Sequence, residues 1–147
     1  MAIFRKPVEL IITTQQWDEM REEAERKKPE ECCGLLAGTT QQDVYQAVRV
    51  IPTTNILFSP IRYRLDPQEQ LKAFNDLEER GWELVGIYHS HPQGPESPSP
   101  TDISEAYYPE AVYLIWSGRA GDWTCRGFLI QDEMIQEIPI VVKEVDR

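Results

Sequence analysis

The chain has 147 residues, of which 41 % are hydrophobic and 27 % charged, enough apolar material for a buried core and too much for a disordered chain. Its formal charge of −10 argues against nucleic acid, whose phosphates reward a basic face. The early apolar run Leu10-Ile11-Ile12 is far too short for a membrane span or a secretion signal, so no membrane partner and a cytoplasmic setting are expected.

No repeat, linker or low-complexity tract divides the sequence, and a single domain over residues 1–147 is expected. Residues 8–12 read as a first strand, and a helix follows from Thr14 to about residue 28. A short buried strand is predicted over 32–37, ending at Gly38, and a second over 43–51 with Tyr45, Val48 and Val50 as packing residues. Residues 52–60 form a loop and 63–65 a short strand. Asp66-Pro67 then supplies a cap and a first helical position, Leu71, Phe74 and Leu77 an apolar stripe, and Gly81 a stop. The near-continuous apolar run 84–88 is expected to be a central strand covered on both faces. Three further strands are predicted near 112–116, 124–130 and 135–142. Few helices beside many strands make an α+β fold, a central mixed sheet flanked by helices.

Three cysteines are present, Cys32, Cys33 and Cys125. The first two are adjacent, where a disulfide would be strained, and the total is odd, so free thiols are expected. A nucleophilic thiol served by a histidine is the alternative, weighed against an apolar strand pattern in which free cysteine packs as a small hydrophobe.

The chain's only two histidines stand two residues apart in Tyr88-His89-Ser90-His91-Pro92. In an extended strand, residues i and i+2 share a face, so both imidazoles can converge on one cation. Asp102 lies eleven residues beyond His91, with Ser99 three residues before it. Two imidazoles and one carboxylate form the ligand set of a catalytic zinc site that keeps one position open. Taken singly, either histidine reads as structural, and Ser99-Pro100-Thr101-Asp102 reads as a helix start with Ser at the cap and Asp in the capping-box place. The readings are compatible, since a helix start is a platform for one more ligand.

His89-Ser90-His91-Pro92, Ser99 and Asp102 together resemble the signature of the JAMM (MPN-plus) zinc metalloproteases. That signature also contains an upstream glutamate in a Pro-x-Glu-x-Cys-Gly-Leu-Leu run, which Pro29-Glu30-Glu31-Cys32-Cys33-Gly34-Leu35-Leu36 matches position by position, selecting Glu31 over Glu30. The segment 98–103, followed by the strand-like 111–115, is similar to the short prokaryotic branch of that family, and the resemblance extends over about residues 10–140. It implies a cytidine-deaminase-like JAB/MPN layout and zinc as cofactor, held by His89, His91 and Asp102. It further implies Glu31 as the acid–base carboxylate and Ser99 as donor to the developing oxyanion, with the helix cap as its other duty. Ser90 points to the opposite face and is assigned to packing or support. Tyr63 and Asn55 fall in the stretch that in this family leads toward the substrate groove.

The resemblance implies an (iso)peptidase acting after the Gly-Gly tail of a small ubiquitin-like sulfur-carrier protein. The short stretch after Asp102 disfavours the elaborated eukaryotic deubiquitinating relatives. Other readings are a metallohydrolase of small peptides or amides, a non-catalytic scaffold of the same fold, and a zinc deaminase, whose His-x-Glu and Pro-Cys-x-x-Cys pattern is absent. The oligomeric state is open, a homodimer included.

Overall fold

A computed structural model describes residues 3–119 and 121–145, so the two ends of the expected 1–147 domain lie outside them. The elements run β1 (Glu9–Thr13), α1 (Thr14–Lys27), β2 (Cys33–Gln41), β3 (Val44–Thr53), α2 (Pro67–Arg80), β4 (Glu83–His91), α3 (Pro100–Ser104), β5 (Val112–Ser117), β6 (Thr124–Gln131), β7 (Met134–Ile138) and β8 (Ile140–Lys143). The eight strands form one mixed sheet in the order β7-β6-β5-β4-β2-β3-β1-β8. The fold is α+β, as the sequence pattern predicts.

Local chemistry sets the helix ends. Thr13 caps α1: its Oγ1 accepts from the Gln16 N–H at 3.0 Å, while the Gln16 side chain accepts from the Thr13 N–H at 2.8 Å. Gln16 also donates to the Ala47 carbonyl at 3.2 Å, fastening α1 to β3. Asp66 caps α2 through the Gln68 N–H at 2.8 Å, and Gly81, at φ 70°, closes it in the left-handed conformation that glycine adopts without strain. Apolar side chains cover both faces of the sheet. Leu10, Met20, Tyr45, Tyr88, Leu114 and Trp116 pack with α1 on one face, whereas Leu35, Ala73, Ile87, Ile115 and Phe128 pack with α2 on the other. β4 lies between β2 and β5, parallel to β5 and antiparallel to β2, and is buried along most of its length.

The structure corrects four details. Val48 is 39 % exposed instead of packed, because the β2–β3 register shifts at Ala37/Gly38 and the extra residue on β3 moves Val48 out of phase between buried Ala47 and Val50. Leu71 is 63 % exposed; Ala73 and Leu77, with the partly buried Phe74, form the packed side of α2. Residues 63–65 make only the single bridge Asn55↔Leu65 instead of a strand. The apolar run 135–142 is two strands, since Pro139 has no N–H for a ladder. β7 and β8 flank that proline yet lie at opposite ends of the sheet order, so the sheet curls until its two edges approach.

Candidate metal centre

His89 and His91 close the central strand β4, on the face that carries Ile87, and are 0 % and 5 % exposed. Their Nε2 atoms are 3.1 Å apart. Asp102, in the first turn of α3, places Oδ2 at 3.2 Å from His89 Nε2 and 3.1 Å from His91 Nε2. These three atoms form a nearly equilateral triangle. A tetrahedral site with bonds of about 2.0 Å has edges of about 3.3 Å, so the triangle has close to the size of one face of such a site. Three electron-rich atoms converge here, and a cation accounts for the convergence better than any assignment of protons. The residues present therefore fit a bound metal ion.

Each apex is held by its own support. His91 donates from Nδ1 to the Pro95 carbonyl at 2.8 Å, which leaves the Nε2 lone pair aimed at the triangle. Asp102 is fixed by a capping box: its Oδ2 accepts from the Ser99 N–H at 2.9 Å, and its own N–H donates to Ser99 Oγ at 3.0 Å. Ser99 is thus the helix cap, and because its oxygen acts there only as acceptor, its hydroxyl hydrogen stays available for another partner. The Tyr63 ring stacks on His89, centroids 4.3 Å apart and planes inclined by 21°.

Glu31 sits just before β2, and one of its carboxylate oxygens lies within 4.8 Å of a ring nitrogen of each histidine. The surrounding backbone is tied on three sides. Glu31 N–H donates to the Ser59 carbonyl at 2.9 Å, its carbonyl accepts from Asn55 Nδ2 at 3.0 Å, and the next N–H, of Cys32, donates to Ser90 Oγ at 2.8 Å. Glu31 Oε1 is buried with no hydrogen-bond partner among the described residues. The structure brings Glu31, His89, His91, Ser99 and Asp102 together; Ser90 points away from them, as alternation along the strand requires.

Burial pushes the Glu31 carboxyl up to about 8, only partly offset by His91. It also lowers His89, against the opposing pull of Asp102. For His91 burial is outweighed by the Asp102 and Pro95 hydrogen bonds, and its pKa rises. Asp102 is partly buried, which acts to raise its carboxyl, yet its bonds to both histidines hold it well below the usual carboxylate range. Burial drives the thiols of Cys32 and Cys33 up to about 12 and raises Cys125 strongly, so none is a ready thiolate at neutral pH.

Two contacts were not readable from sequence: the Tyr63 stack and the Pro95 carbonyl behind His91. The signal for the first is only that Tyr63 lies in the 55–65 loop. Asn55 organises that loop, with Nδ2 donating to the carbonyls of Glu31 and Arg62 and Oδ1 accepting from the N–H groups of Leu57 and Arg64. A cavity of about 460 Å³ opens beside it, lined by Tyr63, Tyr107, Tyr108 and Tyr113. A groove of about 860 Å³ runs between β3 and α2, past Thr53 and Leu71. No helix among the described residues is long and apolar enough to cross a membrane.

Residues 13–128 match the family model for prokaryotic homologs of the JAB domain. The chain is 38 % identical over 136 residues to a CysO-cysteine peptidase of Mycobacterium tuberculosis, covering 92 % of each chain. It is 40 % identical over 126 residues to a probable TtuB-protein conjugate cleaving protease of Thermus thermophilus, covering 85 % of this chain and 77 % of the relative. Among solved structures, a Desulfitobacterium hafniense protein superposes with a TM-score of 0.84 at 37 % identity, over 92 % of this chain and 94 % of the other. By this match along most of its length, the chain belongs to the prokaryotic JAB-domain family of JAMM/MPN proteins.

Proposed function

We propose that this protein is a zinc peptidase that hydrolyses the amide bond after the C-terminal Gly-Gly tail of a small ubiquitin-like sulfur-carrier protein. The observation that carries the reading is the triangle of His89 Nε2, His91 Nε2 and Asp102 Oδ2, with edges of 3.1 to 3.2 Å. The names of two relatives, a CysO-cysteine peptidase and a TtuB-protein conjugate cleaving protease, supply the substrate class. His89, His91 and Asp102 would hold the zinc. Zinc held there supplies Lewis acidity, which polarises a carbonyl and acidifies water.

The remaining work falls to side chains. Glu31, buried beside the histidines with one oxygen without a partner, takes the proton from the attacking water and returns it to the departing nitrogen. Ser99 keeps its cap with oxygen and donates its hydroxyl hydrogen to the carbonyl oxygen as charge builds there. Tyr63 shields His89 from solvent and holds the ring plane. The tail enters as an extended strand. β1 pairs only with Val44, Tyr45 and Gln46 of β3, and the outer edge of β3 beyond these faces the groove beside α2. That groove ends at Thr53, which pairs with Cys33, and Cys33 pairs with His89. A tail bound there lies about three strand spacings, roughly 14 Å, from the histidines, so its last residues must cross the ends of β3 and β2 to reach them.

The test is product mass after incubating the protein with a Gly-Gly-tailed carrier adduct. Wild type should release the attached group, lose activity on chelation and ignore iodoacetamide, while the His91→Ala protein should release nothing. Equal product from both proteins, or inhibition by iodoacetamide but not by chelator, would overturn the zinc reading.

A further inference from the structure

Beside the centre, on the β5–β6 side, lies a further cavity of about 350 Å³, lined by the polar residues Glu96, Ser97, Ser117, Arg119, Thr124 and Arg126, whose aliphatic parts contribute about half of its wall. Strand register fixes its position. His91 pairs with Ser117 and Ser117 with Thr124; His89 pairs with Ile115 and Ile115 with Arg126. Directly paired residues share a face of the sheet, so Thr124 and Arg126 stand on the histidines' face, about 10 Å away across two strand spacings. Ser97 lies two residues before Ser99, on the loop that leaves His91.

The two guanidinium groups of this cavity are in different situations. Arg126 is engaged by Glu137, with Nε donating at 3.0 Å, and its Nη1 is 3.6 Å from Glu96. Glu96 in turn accepts from Thr124 Oγ1 at 2.9 Å. These three charged groups satisfy one another. Arg119 makes no ion pair or side-chain hydrogen bond among the described residues. Its stem nevertheless lies in a defined place, against Gly94: a Cβ at position 94 would come within 2.9 Å of Arg119 Cδ, so the bare glycine leaves room for the stem. Arg119 is exposed, so an arginine whose stem is held against Gly94 and whose fork meets solvent at the mouth of this cavity is suited to a carboxylate.

We infer that this cavity receives the departing amine component and that Arg119 binds its α-carboxylate. The released group is then a single amino acid joined through its α-amine, not the side-chain amine of a lysine in a folded protein. The inference rests on the peptidase reading above and deepens it. The tail side of the centre offers a long groove of about 860 Å³, whereas this side offers a small cavity of about 350 Å³, room for one residue. A lysine isopeptide would bring an aliphatic stem and no carboxylate, leaving Arg119 without a partner.

The experiment uses a ubiquitin-like carrier protein extended beyond its Gly-Gly terminus by one alanine, prepared as free acid and as carboxamide. Steady-state constants are measured for the zinc-loaded wild type, R119Q and R119K. Wild type should favour the acid by about tenfold or more in kcat/KM, chiefly through KM, as expected for one charge-assisted bond. In R119Q the ratio of acid to amide should fall close to one, and R119K should restore part of it. Equal use of both substrates by wild type, or an unchanged ratio in R119Q, overturns the inference. In parallel, free L-alanine and L-alaninamide are titrated into wild type and R119Q by amide NMR. Shifts at Ser117 and Thr124 with alanine, absent with the amide and in R119Q, support the subsite; their absence in wild type counts against it. If wild type cleaves neither carrier substrate, the peptidase reading fails and the titration decides the subsite separately.

Discussion

Ser90 stands between the two histidines, and its Oγ accepts a 2.8 Å hydrogen bond from the backbone N–H of Cys32, the residue that follows Glu31. One strand therefore serves two purposes. His89 and His91, on one face, form the site, and Ser90, on the other, fixes the chain that delivers Glu31. Ser90 is fully buried, so removing its oxygen would leave the Cys32 N–H without a partner in an apolar setting.

Ser90→Ala is expected to cost about 1–3 kcal/mol of stability, the penalty for an unsatisfied buried donor. Urea unfolding at neutral pH measures it. The same variant should lose turnover through displacement of Glu31 while keeping its metal. A change below about 0.5 kcal/mol would mean that the bond carries no such role.

Metal content should separate the proposed ligands from the proposed base. Wild type should hold about one zinc per chain, and His89→Ala or Asp102→Ala should lose it. Glu31→Gln should keep the zinc and lower kcat by about 10²–10⁴, since an amide cannot carry the proton. Glu30→Gln, one residue away, should behave as wild type. Full zinc retention in His89→Ala, measured by elemental analysis, would remove the proposed centre.

Gly34 is needed for close approach. A Cβ at this position would run into the Tyr88 ring and hydroxyl. Tyr88 is fully buried, and its hydroxyl donates to Glu23 Oε1 at 2.6 Å, so the ring has no easy retreat. Gly34→Ala should destabilise by about 1–3 kcal/mol through overpacking, read as a lower melting temperature. An unchanged melting temperature would show that Tyr88 can move aside.

Glu23 gives a pH dependence of known sign. Burial raises its carboxyl above the ordinary value; the Tyr88 hydrogen bond and nearby Arg26 and Lys27 offset this only in part. The folded protein therefore binds more protons than the unfolded chain between the two pKa values, and stability falls as pH rises through that window. The contribution is fully present below the unfolded value of about 4.3 and lost above the folded one. Glu23→Gln should gain on wild type as pH increases from about 4.5 and level off above the raised pKa. Denaturant unfolding of both proteins across pH tests this, and a constant difference would contradict it.

The elements that the sequence determines are those whose chemistry is local. Thr13 with Gln16, Asp66 with Pro67, and Ser99 with Asp102 mark helix starts because a cap and its partner lie within one turn. The strand alternation that aims His89 and His91 to one side is equally local, so the ring-nitrogen pair was legible from spacing alone. Family resemblance added Glu31, which no periodicity distinguishes from Glu30. Tertiary structure decided whatever depends on strand order and register. Val48 turned outward because β3 carries an extra residue against β2, and 135–142 divided because β7 and β8 join opposite edges of a curled sheet. The stack of Tyr63 on His89 and the cavity around Arg119 likewise join residues far apart in the chain, through pairings that no short window contains. Local geometry is set by covalent spacing, whereas long-range contact is set by which strands become neighbours, and that is a property of the whole packed sheet.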